Sequence, residues 1–241
     1  GGDREVADAA RRLDVGIHTH LSESLAEMET IREKYGCTPS EFLDSCGILG
    51  PKTLAAHCVK VSDSDIALLA ERGVSVATNP VSNLKLGNGI APVPKLLEAG
   101  VNVALGSDGA ASNNALNLFR ELSFLGLLHK GVTGDTTAVP AAEAMKIATV
   151  NGARALGLQD CGEIRPGAKA DLTVLDIDVP WLRPHNDILS SLVYCARGDE
   201  VRDVMVDGAF LLRDRELLTI DRERVLYEVD KTCRRLGILK E

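Results

Sequence analysis

The sequence predicts an α/β chain of parallel strands joined by helices, followed by a smaller β-rich part. Three observations carry that expectation. Short apolar runs alternate with amphipathic helical stretches four times over about the first 100 residues, the pattern of parallel strands linked by right-handed crossovers. The chemically interesting polar residues of that stretch fall where the expected strands end, the edge at which parallel α/β folds build their sites. Beyond about residue 157 the sequence becomes rich in turns, with short strand-like runs and no further βα alternation.

In chain order, Asp3 to Leu13 carries Val6, Ala9, Ala10 and Leu13 at helical spacing. Val15 to His18 reads as a short buried strand, with His18, His20, Ser22 and Glu23 opening a polar cluster at its end. Ser24 to Tyr35 reads as a helix with Leu25, Met28 and Ile31 on one face. Thr38 caps another short helix, Pro39 stands in its first turn, and it ends near Gly47. The plan then repeats. Thr53 to His57 is a strand, and Ser62-Asp63-Ser64-Asp65 opens a helix that runs to Arg72 and stops at Gly73. Val74 to Ala77 is a third strand, and Thr78 to Lys85 reads as a polar loop. Pro92 to Ala99 is a helix, and Val101 to Leu105 is a fourth strand with Asp108 just beyond it.

Helices are expected at Ala115 to Lys130 and at Ala141 to Leu156, the second interrupted around Asn151-Gly152. Leu172 to Leu175 reads as a strand, and Val201 to Val206 with Ala209 to Leu212 reads as a hairpin around Asp207-Gly208. The chain therefore divides into an α/β domain over 1–156, a small β-rich domain over 157–218, and a C-terminal segment over 219–241 whose helix, Asp221 to Leu236, is expected to pack back on the rest. Four parallel strands do not close the usual eight-stranded barrel. The first domain is either an open four-stranded sheet or the second half of a barrel.

Composition narrows the function. The net charge of −8 argues against a nucleic-acid or anionic-membrane partner. No apolar run is long enough to span a bilayer, and the polar start Gly1-Gly2-Asp3-Arg4-Glu5 is unlike a signal peptide. The six cysteines include no C-x-x-C pair, which in a chain of this size points to reduced thiols and a cytoplasmic location. With aromatic residues at 3%, a base-stacking platform is not expected.

His20, His57 and Asp108 each follow a different expected strand and so can meet at one edge of the sheet. Two imidazoles and a carboxylate suit zinc, which takes nitrogen and oxygen donors and, in catalytic sites, keeps a position open. Glu23 stands three residues from His20, in range for proton transfer. On spacing alone His57 is either a ligand or a polar group beside the ligands. Singly, each of these residues also has an ordinary reading: a loop histidine, a core histidine bonded to backbone, a turn aspartate.

Five stretches together carry a resemblance. They are His18-Thr-His-Leu-Ser-Glu23, Leu54-Ala-Ala-His-Cys-Val59, Asn79-Pro-Val-Ser-Asn-Leu-Lys-Leu86, Gly106-Ser-Asp-Gly-Ala-Ala-Ser-Asn-Asn114 and Gly162-Glu-Ile-Arg-Pro-Gly-Ala-Lys-Ala-Asp-Leu172. In this order they resemble the amidohydrolase superfamily, most closely its methylthioadenosine/S-adenosylhomocysteine deaminase branch, over essentially the whole chain. The resemblance implies strands five to eight of a metal-dependent (β/α)8 TIM barrel plus part of a small β-sandwich. It implies a hydrolytic deaminase of an adenine-type nucleoside, with zinc as cofactor and iron, manganese or nickel as other candidates. Metal ligands would be His20 and Asp108, and catalytic groups Glu23, His57 and Asp108. Substrate contacts would come from Glu23, Asn79, Ser82 and Asn83, with His57 orienting the attacking water or the departing group.

The chain also departs from the family pattern. Relatives often carry a histidine where Thr78 stands here. The family's first-strand His-x-His pair has no counterpart, because the one such pair, His18 and His20, belongs to the fifth-strand motif; His18 is expected to pack or to support its neighbours. The resemblance thus implies a C-terminal half that is inactive alone. Its expected partners are a small purine-like substrate and further copies of itself, with no nucleic acid and no membrane. The other two readings are a triazine or guanine-type aminohydrolase or chlorohydrolase, and a non-catalytic half-barrel that self-associates through its strand edges.

Overall fold

Four parallel strands, β1 (Ile17–Leu21), β2 (Thr53–His57), β3 (Ser75–Thr78) and β4 (Asn102–Leu105), lie side by side in chain order. The computed structural model describes residues 2–239; residues 1, 240 and 241, at the outer ends of the first and last expected segments, lie outside the described residues.

Side-chain alternation along these strands makes two unlike faces. The pairings Thr19 to Ala55, Ala55 to Val76 and Val76 to Val103 form one row, in which Ala55, Val76 and Val103 are fully buried. Each such valine contributes about 1.5–3 kcal/mol by leaving water. The next row, His20 to Ala56, Ala77 and Ala104, belongs to the opposite face. Its three alanines keep that face low, and His18, His20, Leu54, Ala56, Ala77 and Ala104 line a cavity of about 430 Å³ over it.

Several of the connecting helices start and stop where their sequences specify. The first six are α1 (Gly2–Leu13), α2 (Leu25–Tyr35), α3 (Pro39–Ser45), α4 (Asp63–Arg72), α5 (Pro80–Lys85) and α6 (Val93–Glu98). Thr38 and Glu41 close a capping box on α3, and Ser62 and Asp65 close one on α4. The two boxes are joined: Thr38 Oγ1 donates to Oδ1 of Asp65 at 2.6 Å. Next come α7 (Ala110–Asn113), α8 (Leu118–Thr133), α9 (Ala141–Ala148) and α10 (Val150–Ala155). The break between α9 and α10 falls at Thr149, at φ −125° and ψ −87°, two residues before the expected interruption.

A second, antiparallel sheet holds β5 (Leu172–Leu175), β6 (Val201–Val206), β7 (Ala209–Arg213) and β8 (Glu216–Leu217) in chain order. The β6–β7 hairpin turns at Asp207 and Gly208, both at positive φ, as a tight turn matched to strand twist requires. Among the described residues no helix is long and apolar enough to cross a membrane.

Several elements differ from the sequence expectation, four of them as follows. β1 runs from Ile17 to Leu21 rather than stopping at His18, so His18 and His20 are strand residues two apart on one face. The expected loop from Thr78 to Lys85 contains α5, because Pro80 pre-sets the first helical turn and lacks the N–H a strand would need. The 157–218 stretch contains α11 (Ile188–Tyr194), whose Val193 is fully buried in the core of the parallel sheet. The last helix, α12 (Arg222–Arg235), has no buried side chain and so does not pack back as expected.

Candidate metal centre

At the C-terminal end of each of three strands the backbone turns through the left-handed region. Ser22 (φ 49°) follows β1, His57 and Cys58 (φ 76° and 48°) end β2, and Asp108 (φ 58°) follows β4. Non-glycine residues there carry local strain of about 1–3 kcal/mol each, retained where the surroundings fix them. These turns end the strand alternation and bring the side chains together. One nitrogen each of His20 and His57 and one oxygen of Asp108 lie within 4.8 Å of one another. The two imidazole centroids are 5.3 Å apart.

Each member is held from behind. His57 is 1% exposed, and its Nδ1 lies 2.8 Å from the acceptor Oδ1 of Asn83 and 3.4 Å from Nδ2 of Asn79; the shorter contact favours the ring proton on Nδ1 and the lone pair on Nε2. Asp108 Oδ2 accepts from Ser82 Oγ and Ser112 Oγ, both at 2.6 Å, and its Oδ1 accepts from the Gly109 N–H at 2.7 Å. Burial alone would raise this carboxyl, but those three bonds and the nearby His57 outweigh it and hold Asp108 below the ordinary carboxylate value. His20, on the open face of β1, remains exposed.

Glu23 stands at the rim. Its Oε2 is 3.7 Å from Nε2 of His57, and its Oε1 accepts from Asn88 Nδ2 at 2.9 Å. The turn that carries it is fastened by Glu27, whose carboxylate accepts from the N–H groups of Ser22 (2.8 Å) and Glu23 (2.7 Å).

Of the remaining expected residues, Asn79 borders the cavity and donates to the Ala77 carbonyl at 3.3 Å. Ser82 and Asn83 are 0% and 1% exposed and spend their bonds on Asp108 and His57. His18 lines the cavity below His20.

Sequence reading missed Glu27, Asn88, Ser112 and Glu121. The Ser24-x-x-Glu27 spacing is a readable helix-start signature, and Ser112 follows Asp108 by one helical turn. Nothing local marks Asn88 or Glu121, whose partners are 65 and 40 positions away.

The donor set fits a divalent cation of the zinc type: two neutral-capable imidazoles and an ionised carboxylate around one point, each oriented by a hydrogen bond or a strand. A set of this size leaves room in the coordination sphere for water or substrate.

Comparison with known proteins covers the same stretch of chain. The model of the amidohydrolase family matches residues 4–211. A 5-methylthioadenosine/S-adenosylhomocysteine deaminase of Caldanaerobacter subterraneus subsp. tengcongensis is 48% identical over 234 residues, 97% of this chain and 54% of the relative. A 5'-deoxyadenosine deaminase of Methanosarcina mazei is 47% identical over 232 residues, 96% of this chain and 54% of the relative. Among solved structures, an adenosine deaminase from Xanthomonas campestris with bound zinc superposes with a TM-score of 0.95 at 37% identity, over 98% of this chain and 54% of that one. The chain spans about half the length of the curated relatives it matches.

Proposed function

The chain belongs to the amidohydrolase family, and we propose that it is the C-terminal half of a metal-dependent deaminase of adenine-type nucleosides. Four parallel strands with an open face, and coverage of about half of each relative, support strands five to eight of a (β/α)8 barrel over 1–156. In the same reading 157–218 is part of a small β-sandwich, and 219–241 is a helical segment awaiting a surface to cover. The single observation that carries the reading is the convergence of His20, His57 and Asp108 beside Glu23. Relatives named as deaminases of adenosine derivatives and the zinc in the similar adenosine deaminase point the same way.

Zinc is the favoured ion, and His20 and Asp108 would hold it. Bound there, it would lower the pKa of a coordinated water and so supply a nucleophile near neutral pH. Asp108, kept ionised by Ser82, Ser112 and Gly109, accepts a proton from the attacking water and passes it to the departing amino group. Glu23 gives a proton to the ring nitrogen beside the amino-bearing carbon and recovers one from the new hydroxyl as ammonia leaves. His57, with its proton fixed on Nδ1 by Asn83, presents Nε2 to the water or to the departing group. Asn79 borders the space for the base. Adenine ring plus water gives the 6-oxopurine ring, its neighbouring nitrogen protonated, plus ammonia, and the proton count closes.

The test is ammonia release from 5′-methylthioadenosine and adenosine with zinc present. A protein of the relatives' length is expected to turn over, and Glu23→Gln or Asp108→Asn is expected to remove at least about a hundredfold of kcat. The 241-residue chain alone is expected to show no useful turnover, since its open sheet face leaves the substrate unenclosed. Full activity of Asp108→Asn would refute the reading.

A further inference from the structure

The mechanism leaves unused a buried carboxylate that lies beside the centre. Glu121, in the first turn of α8, is 0% exposed, and burial pushes its carboxyl above the ordinary value. Taking an ionisable group out of water is costly unless its bonds are satisfied. Its bonds come from two different helices. Oε2 accepts the Val81 N–H at 3.0 Å, and Oε1 accepts Asn113 Nδ2 at 2.5 Å. Val81 lies in the first turn of α5, whose own N-cap residue, Asn79, supplies no side-chain cap, so Glu121 serves as that cap. Asn113 is the last residue of α7, and its Nδ2 also donates to the Ser107 carbonyl at 2.6 Å, one residue before Asp108.

The two hydroxyls on Asp108 Oδ2 come from these same helices: Ser82 is the residue after Val81, and Ser112 is the residue before Asn113. We propose that Glu121 is a positioning residue for Asp108, clamping the start of α5 to the end of α7 so that Ser82 and Ser112 reach Oδ2 together. It touches neither substrate nor metal and acts through those two serines. This rests on the deaminase reading only for the activity by which it is measured.

A double-mutant cycle in the intact enzyme tests the clamp, with Glu121→Gln, the pair Ser82→Ala/Ser112→Ala, and all three together. Glu121→Gln is expected to lower kcat about tenfold while KM for 5′-methylthioadenosine stays within about twofold. The serine pair is expected to do at least as much, and the triple variant no more than the pair. A merely structural carboxylate would shift thermal unfolding and leave the kcat losses multiplicative. Multiplicative losses, or wild-type kcat in Glu121→Gln, would overturn the proposal.

Should Glu121→Gln not fold, Asn113→Ala opens the α7 side alone. Its loss is expected to couple with Ser112→Ala but not with Ser82→Ala, and equal coupling to both serines would overturn the clamp. Zinc retention against a chelator needs no turnover. If the wild-type protein releases no ammonia from adenine nucleosides, the deaminase reading falls and retention decides the clamp. Zinc lost about tenfold more readily from Glu121→Gln, and no more readily still from the triple variant, supports it; unchanged retention overturns it.

Discussion

Asn88 Nδ2 donates to Oε1 of Glu23 at 2.9 Å, across 65 positions of chain. With Oε1 so engaged, Oε2 faces Nε2 of His57 at 3.7 Å. The Asn88 N–H in turn donates to the Asn83 carbonyl at 2.9 Å, and Asn83 Oδ1 meets His57 Nδ1 at 2.8 Å. One short stretch after β3 therefore orients both the proposed proton carrier from the β1 end and the imidazole from the β2 end.

Removing the Asn88 amide frees Glu23 to rotate away from the substrate. Asn88→Ala is expected to lower kcat about tenfold with KM little changed, the cost of one lost hydrogen bond to a charged group. Asn88→Asp sets a carboxylate against a carboxylate and is expected to cost more. Steady-state ammonia release from 5′-methylthioadenosine reads both, and an Asn88→Asp enzyme at wild-type rate would contradict this role.

Asn83 is fully buried against His57. Asn83→Ala leaves the imidazole without its partner and opens a small void beside it. Groups that orient metal-site imidazoles typically contribute about 10- to 100-fold in metal affinity or activity. A loss of that order is expected in kcat for ammonia release from 5′-methylthioadenosine, while Asn83→Asp, which still accepts from Nδ1–H, is expected to keep most of the rate.

Much of this was legible because it is local. Thr38, Ser62 and Gly73 announce helix ends by chemistry acting within one turn, and the structure uses each in that way. Strand ends carrying His20, His57 and Asp108 were readable for a similar reason, since parallel strands deliver their C-terminal residues to one edge. What escaped was set by partners distant in sequence. The polar residues around His20 predict that the strand has ended, yet pairing with β2 carries β1 through to Leu21. The polarity of the Thr78–Lys85 stretch predicts a loop, but Ser82 and Asn83 turn inward to Asp108 and His57, and Glu121 caps the helix from 40 positions away.

Acid stability has an identifiable source away from the centre. His129 on α8 is 5% exposed, and burial, then the charge of Lys130, pull its imidazole from 6.5 down to about 4. A base depressed in the folded state binds its proton more readily when unfolded, so the stabilising difference is present above pH 6.5 and is lost as pH falls toward 4. The gap corresponds to about 3 kcal/mol at the acid end. His129→Gln is expected to flatten the slope of urea-unfolding free energy between pH 6.5 and 4, whatever it does to stability at pH 7; an unchanged slope would remove His129 as the cause.

Two glycines in the same helix are expected to answer substitution with opposite sign. At Gly126 an added Cβ would lie 2.7 Å from Val193 Cγ1 and 3.1 Å from Tyr194 Cε1, where α8 and α11 meet. Val193 is β-branched and fully buried, so it cannot turn aside without displacing the core. Gly126→Ala is therefore expected to cost about 1–3 kcal/mol. At Gly131, five residues on and on a different face of the helix, an added Cβ meets nothing within 4 Å and the backbone is free of positive φ. Gly131→Ala is expected to stabilise by about 0.5–1 kcal/mol, chiefly by narrowing the unfolded ensemble. In thermal unfolding the first should lower Tm and the second raise it by about 1–4 °C. Equal effects from both would mean that α11 does not pack on α8 as described.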